Sequence, residues 1–324
     1  MLNIMTKYDR ALLPSVPSGA LHPDAVWLDL LDHDTREEAS VSELMQIELP
    51  TRDEMREIEL SARLYHEDGA EFMTALVLSG LETDELVKSP VTFVLKDGRL
   101  VTVRHSNSRA FELFAARAAR GGGACSSGEA VLMGLLDALI DRLADALERV
   151  GDDVDAISKE VFQAKRPDAR TKTHDLQSLI DRIGMRGDVL GAIRESLVSF
   201  SRLLAYLAAT RAGLAARKDL RQKVKLLQRD VASLSEHADF LSGKINFLLD
   251  ATLGLINLEQ NQIIKIFSVA SVAFLPPTLV ASIYGMNFEA MPELHMAVGY
   301  PAALIAMVAS AALPFLYFKR RGWL

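Results

Sequence analysis

The run IFSVASVAFLPPTLVASIY, residues 266–284, decides the fold class of this chain because its 19 positions hold no charged side chain. A second uncharged run, AVGYPAALIAMVASAALPFLYF, covers the 22 residues 297–318. The hydrocarbon core of a bilayer is about 30 Å thick and is crossed by about 20 helical residues. The sequence therefore predicts two transmembrane helices, at residues 263–284 and 297–318.

Basic residues lie at the ends of the two runs that face away from their connecting loop. Lys265 comes directly before the first run, and residues 319–321, Lys-Arg-Arg, come directly after the second. The connecting loop, residues 285–296, contains two glutamates and neither lysine nor arginine. Because positive residues are retained on the cytoplasmic side, we expect an extracytoplasmic loop, a basic cytoplasmic tail at 319–324 and both termini in the cytoplasm.

The part of the chain before these runs is acidic. The formal net charge is −7, whereas residues 263–324 hold four basic and two acidic side chains, so residues 1–262 carry −9. An acidic surface argues against nucleic acid as a partner and suits a protein that attracts cations. The single cysteine, Cys125, cannot form an intrachain disulfide, which fits a reducing compartment.

Residues 1–120 are predicted to form a cytoplasmic α/β domain. The patterns indicate a strand at 25–31, short amphipathic helices at 40–49 and 53–60, hairpins turning at Asp68-Gly69 and Asp97-Gly98, and a helix at 109–120. The Asp-Gly pairs are the main signal for the hairpins, because a two-residue turn needs left-handed backbone at both positions.

Residues 121–262 are predicted to form a stalk of long helices, at 129–162, at 168–217 and from 219 into the first uncharged run. The third helix carries apolar residues at intervals of three, four or seven, the stripe of a packed helix; they are Leu220, Val224, Leu227, Val231, Leu234 and Leu241. No proline interrupts it before Pro276. At 1.5 Å per residue this helix spans ~100 Å, which suits a rod that enters the bilayer from the cytoplasm.

The first uncharged run is more polar than the second. Its proline pair, Pro276-Pro277, removes two backbone donors, and the carbonyls left free need partners or a wet lumen in lipid. It also carries four small polar residues, Ser268, Ser271, Thr278 and Ser282. These features favour the first run as the lining of a pore, although small hydroxyl residues also pack against neighbouring helices.

The loop YGMNFEAMPELHMAVGYP, residues 284–301, resembles the signature loop of the CorA family of magnesium and cobalt transporters. It combines Gly-Met-Asn at 285–287 with Pro-Glu-Leu at 292–294 and Gly-Tyr-Pro at 299–301. The resemblance implies an α+β cytoplasmic domain, long helices and two C-terminal transmembrane helices in a funnel-shaped homopentamer. A chain with two spans cannot enclose a pore alone, so cyclic assembly is also expected from geometry.

The resemblance implies that Gly285, Met286 and Asn287 form the selectivity filter. The Asn287 carbonyl would lie at the outer pore mouth, where a ring of neutral acceptors suits Mg²⁺, a cation that keeps several of its waters. Gly285 would allow a tight turn, and Met286 would pack the motif. Glu289 and Glu293 match acidic positions that would concentrate cations; ordinary solvated loop charges are the alternative.

Deeper in the pore, the resemblance places Thr278 at a polar position of the lining. Leu275, Phe267 and Ile264 align with the hydrophobic constriction. Phe267 is bulkier than the aliphatic residue expected there, so the shape of the gate stays open.

The resemblance also implies a regulatory Mg²⁺ site. Asp250 aligns with an acid that in the family faces a carboxylate of the neighbouring subunit's α/β domain, with Mg²⁺ between the two. Such carboxylates repel each other unless a divalent ion separates them, so cytoplasmic Mg²⁺ would hold the closed state. Candidates for the partner acid are Asp53, Glu54 and Glu57, and a solvated helix charge is the alternative for Asp250.

The predicted function is influx of Mg²⁺, with Co²⁺ and Ni²⁺ as further substrates, across the bacterial inner membrane. Mg²⁺ is both transported and regulatory, and no organic cofactor is expected. An enzyme is disfavoured, because the sequence has no phosphate-binding loop, nucleophile elbow or zinc-ligand spacing. A ZntB-like Zn²⁺ transporter and a membrane-anchored coiled-coil scaffold are the alternatives; the scaffold would need neither Asn287 nor the proline pair.

Overall fold

The computed structural model describes residues 1–8, 11–15, 25–81, 85–121, 127–163, 169–210, 218–286, 291, 296 and 298–322. The chain divides into two compact units. The first comprises Met1–Arg166 with Ser178–Leu248, and the second comprises Pro167–Gln177 with Leu249–Leu324.

A single mixed sheet organises the first unit. Its strands within the described residues are β1 (Leu2–Tyr8), β2 (Ala11–Ser15), β3 (Ala25–Leu31), β4 (Leu64–Glu67), β5 (Ala70–Ser79), β6 (Val87–Lys96) and β7 (Arg99–Arg104). They lie in the order β2-β1-β3-β7-β6-β5-β4. The central pair β3–β7 is parallel, and the other neighbours are antiparallel.

The predicted strand at 25–31 and both predicted hairpins are confirmed. Asp68 and Gly69 have φ angles of 51° and 74° between β4 and β5, and Asp97 and Gly98 have 48° and 72° between β6 and β7. Because these left-handed angles match the right-handed twist of the flanking strands, the two turns favour the observed register of two of the three strand pairings in the β4–β7 meander, β4–β5 and β6–β7.

The sequence analysis was wrong about the first helix and assigned no strand before residue 25. Helix α1 spans Thr35–Met45 instead of 40–49. Asp34 Oδ1 accepts hydrogen bonds from the N–H groups of Arg36 and Glu37 at 2.9 and 2.8 Å, and Glu37 Oε2 accepts from the Asp34 N–H at 3.2 Å. This capping box starts the helix earlier than its apolar pattern suggests.

The predicted helix at 53–60 is also wrong. A single 3₁₀ turn, Glu54–Arg56, stands in its place, and a four-residue helix α2, Leu60–Arg63, follows it. Met55 is the buried residue of the turn, so one apolar anchor is enough to hold this segment on the sheet without a full helix.

Both faces of the sheet are covered. One face packs on Val41 and Met45 of α1 in a cluster with Leu28, Val101 and Phe72. On the other, the Trp27 ring makes an edge contact with Phe114 at 5.7 Å between ring centroids. Phe114 belongs to α3 (Arg109–Ala119), and a Cβ at Gly134 would lie 2.4 Å from its ring. The absence of that carbon lets the next helix approach α3 closely.

The long helices are α4 (Gly128–Gln163), α5 (Ala169–Ala209), α6 (Lys218–Tyr284) and α7 (Gly299–Arg320). They confirm the predicted helices, except that α5 ends at Ala209 while the prediction ran to 217; residues 211–217 lie outside the described residues. Helix α6 has 67 residues and stays helical through Pro276 and Pro277. At 1.5 Å per residue it is ~100 Å long.

Helices α6 and α7 are long and apolar enough to cross a membrane, and only 6% of the most apolar window of each is buried in the protein. An uncovered apolar surface of this size is unfavourable in water. The two helices are therefore candidates for membrane spans.

Candidate functional site

The proline pair marks a weak point in the hydrogen bonding of α6. Pro276 and Pro277 have no N–H to donate, so the carbonyls of Val272 and Ala273, four residues earlier, lose their helical donors. Two hydroxyls near them bond back into the helix: Ser271 Oγ donates to the Phe267 carbonyl at 2.9 Å, and Thr278 Oγ1 donates to the Phe274 carbonyl at 2.8 Å. The oxygen atoms of both hydroxyls can still accept hydrogen bonds. The waters around a hydrated cation point their hydrogens outward and can donate such bonds.

The four predicted pore residues lie on one face of α6. At about 100° per residue, Ile264, Phe267, Leu275 and Thr278 fall within an arc of about 80°. Their side chains are not covered by their own chain: Ile264, Phe267 and Leu275 are 61%, 70% and 67% exposed. The resulting stripe is mainly apolar, with one hydroxyl at Ser271 in its middle and one at Thr278 at its end nearest the loop.

The predicted filter begins where α6 ends. The Gly285 N–H donates to the Ala281 carbonyl at 2.9 Å and the Met286 N–H to the Ile283 carbonyl at 3.3 Å. A Cβ at Gly285 would lie 3.0 Å from the Ala281 oxygen, so glycine permits this tight exit from the helix. Met286 is 47% exposed within a single chain, and its packing role stays a prediction. Asn287, Glu289 and Glu293 lie outside the described residues.

The predicted regulatory acids differ in exposure and in the hydrogen bonds that their carboxylates accept. Asp250 is exposed on α6, and the Asp53 side chain is 96% exposed, 3.9 Å from the Arg56 guanidinium. Glu54 Oε2 instead accepts bonds from the N–H and hydroxyl of Thr51 at 2.8 and 2.9 Å, which hold the pKa of Glu54 below its usual range. Glu57 is exposed. Asp53 and Glu57 are therefore better placed than Glu54 to take a metal ion.

A preformed metal site is absent from the part of the chain that the structure describes. No three His, Cys, Asp or Glu side chains there are grouped to hold an ion.

The structure also brings together two histidines that the sequence analysis did not consider. His33 and His105 follow the adjacent parallel strands β3 and β7, and their ring centroids are 5.6 Å apart. His105 Nδ1 is 3.4 Å from Asp32, and His33 Nε2 is 3.6 Å from Glu38. His33 Nδ1 is buried without a hydrogen-bond partner. This cluster forms because two strands that are far apart in sequence pair with each other, so no local sequence motif indicates it.

The cluster predicts loss of stability in mild acid. Burial, then His33 and Arg52, hold the pKa of His105 below its usual value, against the opposing pull of Asp32. The folded state prefers the neutral His105 ring. The stability of the fold is therefore full above the unfolded pKa of about 6.5 and is lost as the pH falls below that value. We expect the melting temperature of the detergent-solubilised protein to fall from pH 7.5 to 5.5 (about one unit either side of that value).

A matched pair of variants tests the assignment. His105→Asn should flatten the pH dependence, whereas His237→Asn, at an exposed position of α6, should leave it unchanged. An equally steep profile in His105→Asn would contradict the prediction.

Comparisons with known proteins show what this chain is similar to. A family model described as "CorA-like Mg2+ transporter protein" matches residues 23–320. The magnesium transport protein CorA of Salmonella typhimurium strain LT2 is 39% identical over 302 residues, which cover 93% of this chain and 92% of that protein. CorA of Escherichia coli K12 is 38% identical over 301 residues, with the same coverage of 93% and 92%.

A solved structure shows the same fold. The complete CorA magnesium transporter from Methanocaldococcus jannaschii matches with a TM-score of 0.77 at 17% identity, over 100% of this chain and 99% of that one. The likeness extends through the α/β domain, the long helices and both apolar helices.

Proposed function

Because this chain belongs to the CorA family of magnesium transporters, we propose that it conducts Mg²⁺ across the bacterial inner membrane as a funnel-shaped homopentamer. The proposal rests on 39% identity to a named magnesium transport protein over 93% of the chain. Two uncovered apolar helices per chain also support it, since two spans cannot enclose a pore without further copies. The named relatives are transport proteins and not enzymes.

In this proposal each segment has one task. Residues 1–120 form the cytoplasmic α/β domain and 121–262 the funnel, while 263–284 and 297–318 cross the membrane. Residues 285–296 form the extracytoplasmic loop, and 319–324 form the cytoplasmic tail. The basic flanks of the two spans support this orientation.

The exposed stripe of α6 lines the pore in the assembled channel. Five copies of Ile264, Phe267 and Leu275 would form an apolar constriction that a hydrated ion passes only when the helices move apart. Thr278 adds a ring of hydroxyl acceptors above it, supported by the back-bonded geometry of its oxygen.

Selection takes place outside this stripe, at Gly285-Met286-Asn287. Mg²⁺ gives up its waters reluctantly, so five Asn287 amide oxygens bind the hydrated ion through its outer hydrogens. Carboxylates at Glu289 and Glu293 raise the local cation concentration by their field.

Ion preference is tested by flux into liposomes that contain the purified protein and a trapped metal-sensitive dye. We expect Mg²⁺ influx, with Co²⁺ and Ni²⁺ as further substrates, and no requirement for a pH gradient. Influx of Zn²⁺ that depends on a pH gradient, without Mg²⁺ influx, would favour the ZntB-like alternative. If none of the four ions is transported, the membrane-anchored scaffold remains as the alternative.

Cytoplasmic Mg²⁺ regulates the channel through Asp250 and a carboxylate of the neighbouring α/β domain. The exposed carboxylates of Asp53 and Glu57 are the preferred partners. With Mg²⁺ between them the subunits stay together, and loss of the ion leaves two repelling charges that loosen the closed state.

The variant Asp250→Asn tests this regulatory site. We expect the amide, which carries no charge, to weaken the protection that Mg²⁺ gives the wild type against limited proteolysis. Asp230→Asn, another exposed carboxylate of α6, should keep full protection. Protection of Asp250→Asn at the same Mg²⁺ concentration as the wild type would remove Asp250 from the site.

A further inference from the structure

Four basic residues lie at one level of the membrane-spanning pair. Lys265 precedes the first span, and Lys319, Arg320 and Arg321 follow the second; we call these four the basic collar. Lys265 lies 19 residues before Tyr284, the end of α6, and Lys319 lies 20 residues after Gly299, the start of α7. At 1.5 Å per residue both intervals are about 30 Å, the thickness of the hydrocarbon core. The collar therefore lies at the membrane face opposite the loop.

The collar carries charge that no carboxylate of the described residues neutralises. All four are exposed, and within the described residues none forms a salt bridge with a carboxylate. Residues 260–286 and 299–322 contain no aspartate or glutamate. The carboxyl end of α7 contributes about half a negative charge through its dipole, too little to neutralise the three cations that follow the span.

One arginine of the collar lies against an aromatic ring near the end of the second span. The Arg321 guanidinium lies 5.6 Å from the centroid of the Tyr317 ring, within the range of a cation–π contact. Tyr317 is 56% exposed, and tyrosine side chains of this kind lie at the boundary between hydrocarbon and headgroups. A guanidinium in this position can bind a phosphate through two parallel N–H groups.

We propose that the basic collar is a binding surface for anionic phospholipid headgroups, with Arg321 and Tyr317 gripping one phosphate and Lys265, Lys319 and Arg320 supplying the surrounding charge. Lipid is the occupant that fits, because three of the four collar residues end or follow α7. Only 6% of the most apolar window of α7 is buried, so its apolar surface is available to acyl chains. The proposal requires insertion of the two spans and does not depend on which ion the protein transports.

The test is lipid binding by the full-length protein in a neutral detergent. Phosphatidylglycerol or phosphatidylcholine is titrated, while native mass spectrometry counts bound lipid and fluorescence reports the melting temperature. We expect the wild type to bind phosphatidylglycerol more tightly and to be stabilised by it, with the preference reduced at high salt, since salt screens exposed charges.

Neutralising the collar should remove the preference. Each basic residue near an anionic surface contributes about fivefold in affinity, so the combined variant Lys319→Gln, Arg320→Gln, Arg321→Gln should need on the order of 100-fold more phosphatidylglycerol. The control removes the same charge from exposed positions of α6 outside the span, in the combined variant Arg221→Gln, Lys225→Gln, Arg229→Gln. It should behave as the wild type does.

Three results would overturn the proposal. They are equal responses of the wild type to the two lipids, an undiminished preference in the collar variant, and stabilisation by free inorganic phosphate equal to that by phosphatidylglycerol. If the collar variant fails to insert, two other measurements test the proposal. They are the salt dependence of lipid binding by the wild type and the lipid preference of the charge-conserving variant Arg320→Lys, Arg321→Lys, which must still prefer phosphatidylglycerol.

Discussion

Asn287→Ala is expected to reduce Mg²⁺ influx into proteoliposomes to the background of empty liposomes. The substitution replaces five amide oxygens at the proposed pore mouth with methyl groups, which accept no hydrogen bond from the waters of the ion. Because Mg²⁺ dehydrates reluctantly, losing these outer contacts leaves nothing at the mouth that distinguishes the hydrated ion. The measurement is the initial rate of dye response after addition of external Mg²⁺.

The control for this variant is Met296→Ala. Met296 belongs to the same loop and is 60% exposed, but it offers no amide oxygen, so flux should continue. Both variants should melt at the temperature of the wild type, which separates loss of selection from loss of folding. Undiminished flux through Asn287→Ala would exclude Asn287 as the filter.

Arg104→Met is expected to give the largest loss of stability. The guanidinium makes two bonds of 2.8 Å to the two oxygens of Asp29, and both side chains are only 5% exposed. The Thr102 hydroxyl donates to the same carboxylate at 2.8 Å. Removing one partner of a buried ion pair leaves an uncompensated charge and costs about 3–5 kcal/mol.

The change is measured by thermal unfolding, followed by the fluorescence of buried Trp27, whose Nε1–H donates to Thr102 at 3.0 Å. A loss of this size lowers the melting temperature by about 10 °C in a domain of this size. The double variant Asp29→Leu, Arg104→Met should recover most of it, since an apolar pair leaves no buried charge.

The matched control is Arg186→Met, which breaks an exposed ion pair with Asp153 at 3.0 Å. Exposed pairs contribute about 0–1 kcal/mol, so this variant should melt close to the wild type. If Arg104→Met also melted close to the wild type, the buried carboxylate would not depend on its guanidinium.

Local patterns account for the elements that the sequence analysis predicted correctly. The Asp68-Gly69 and Asp97-Gly98 turns and the apolar spacing of α4 and α6 each depend on residues only a few positions apart. The start of α1 was missed, although Asp34 and Glu37 have the spacing of a capping box. The short turn at Glu54–Arg56 was mistaken for a helix because apolar spacing alone does not show how many residues the sheet has room to cover.

Some features of the candidate site also follow from local sequence spacing, and others depend on the folded chain. Spacing alone places Ile264, Phe267, Leu275 and Thr278 on one helix face. It does not show that Glu54 is engaged by Thr51, or that Asp53 stays exposed, because those facts depend on how a short turn folds. The assembly that would bring Asp250 to a second carboxylate involves another copy of the chain.

The sequence by itself predicted the two candidate membrane spans, the shared helical face of α6 and the resemblance to the family, because uncharged length, helical spacing and the loop at 284–301 are all read along the chain. Only the tertiary structure decided that Asp29 meets Arg104 and that His33 meets His105. Each pair is joined by the parallel pairing of β3 with β7. Burial and partnership are set by the strands that lie side by side, and the residues concerned are more than 70 positions apart.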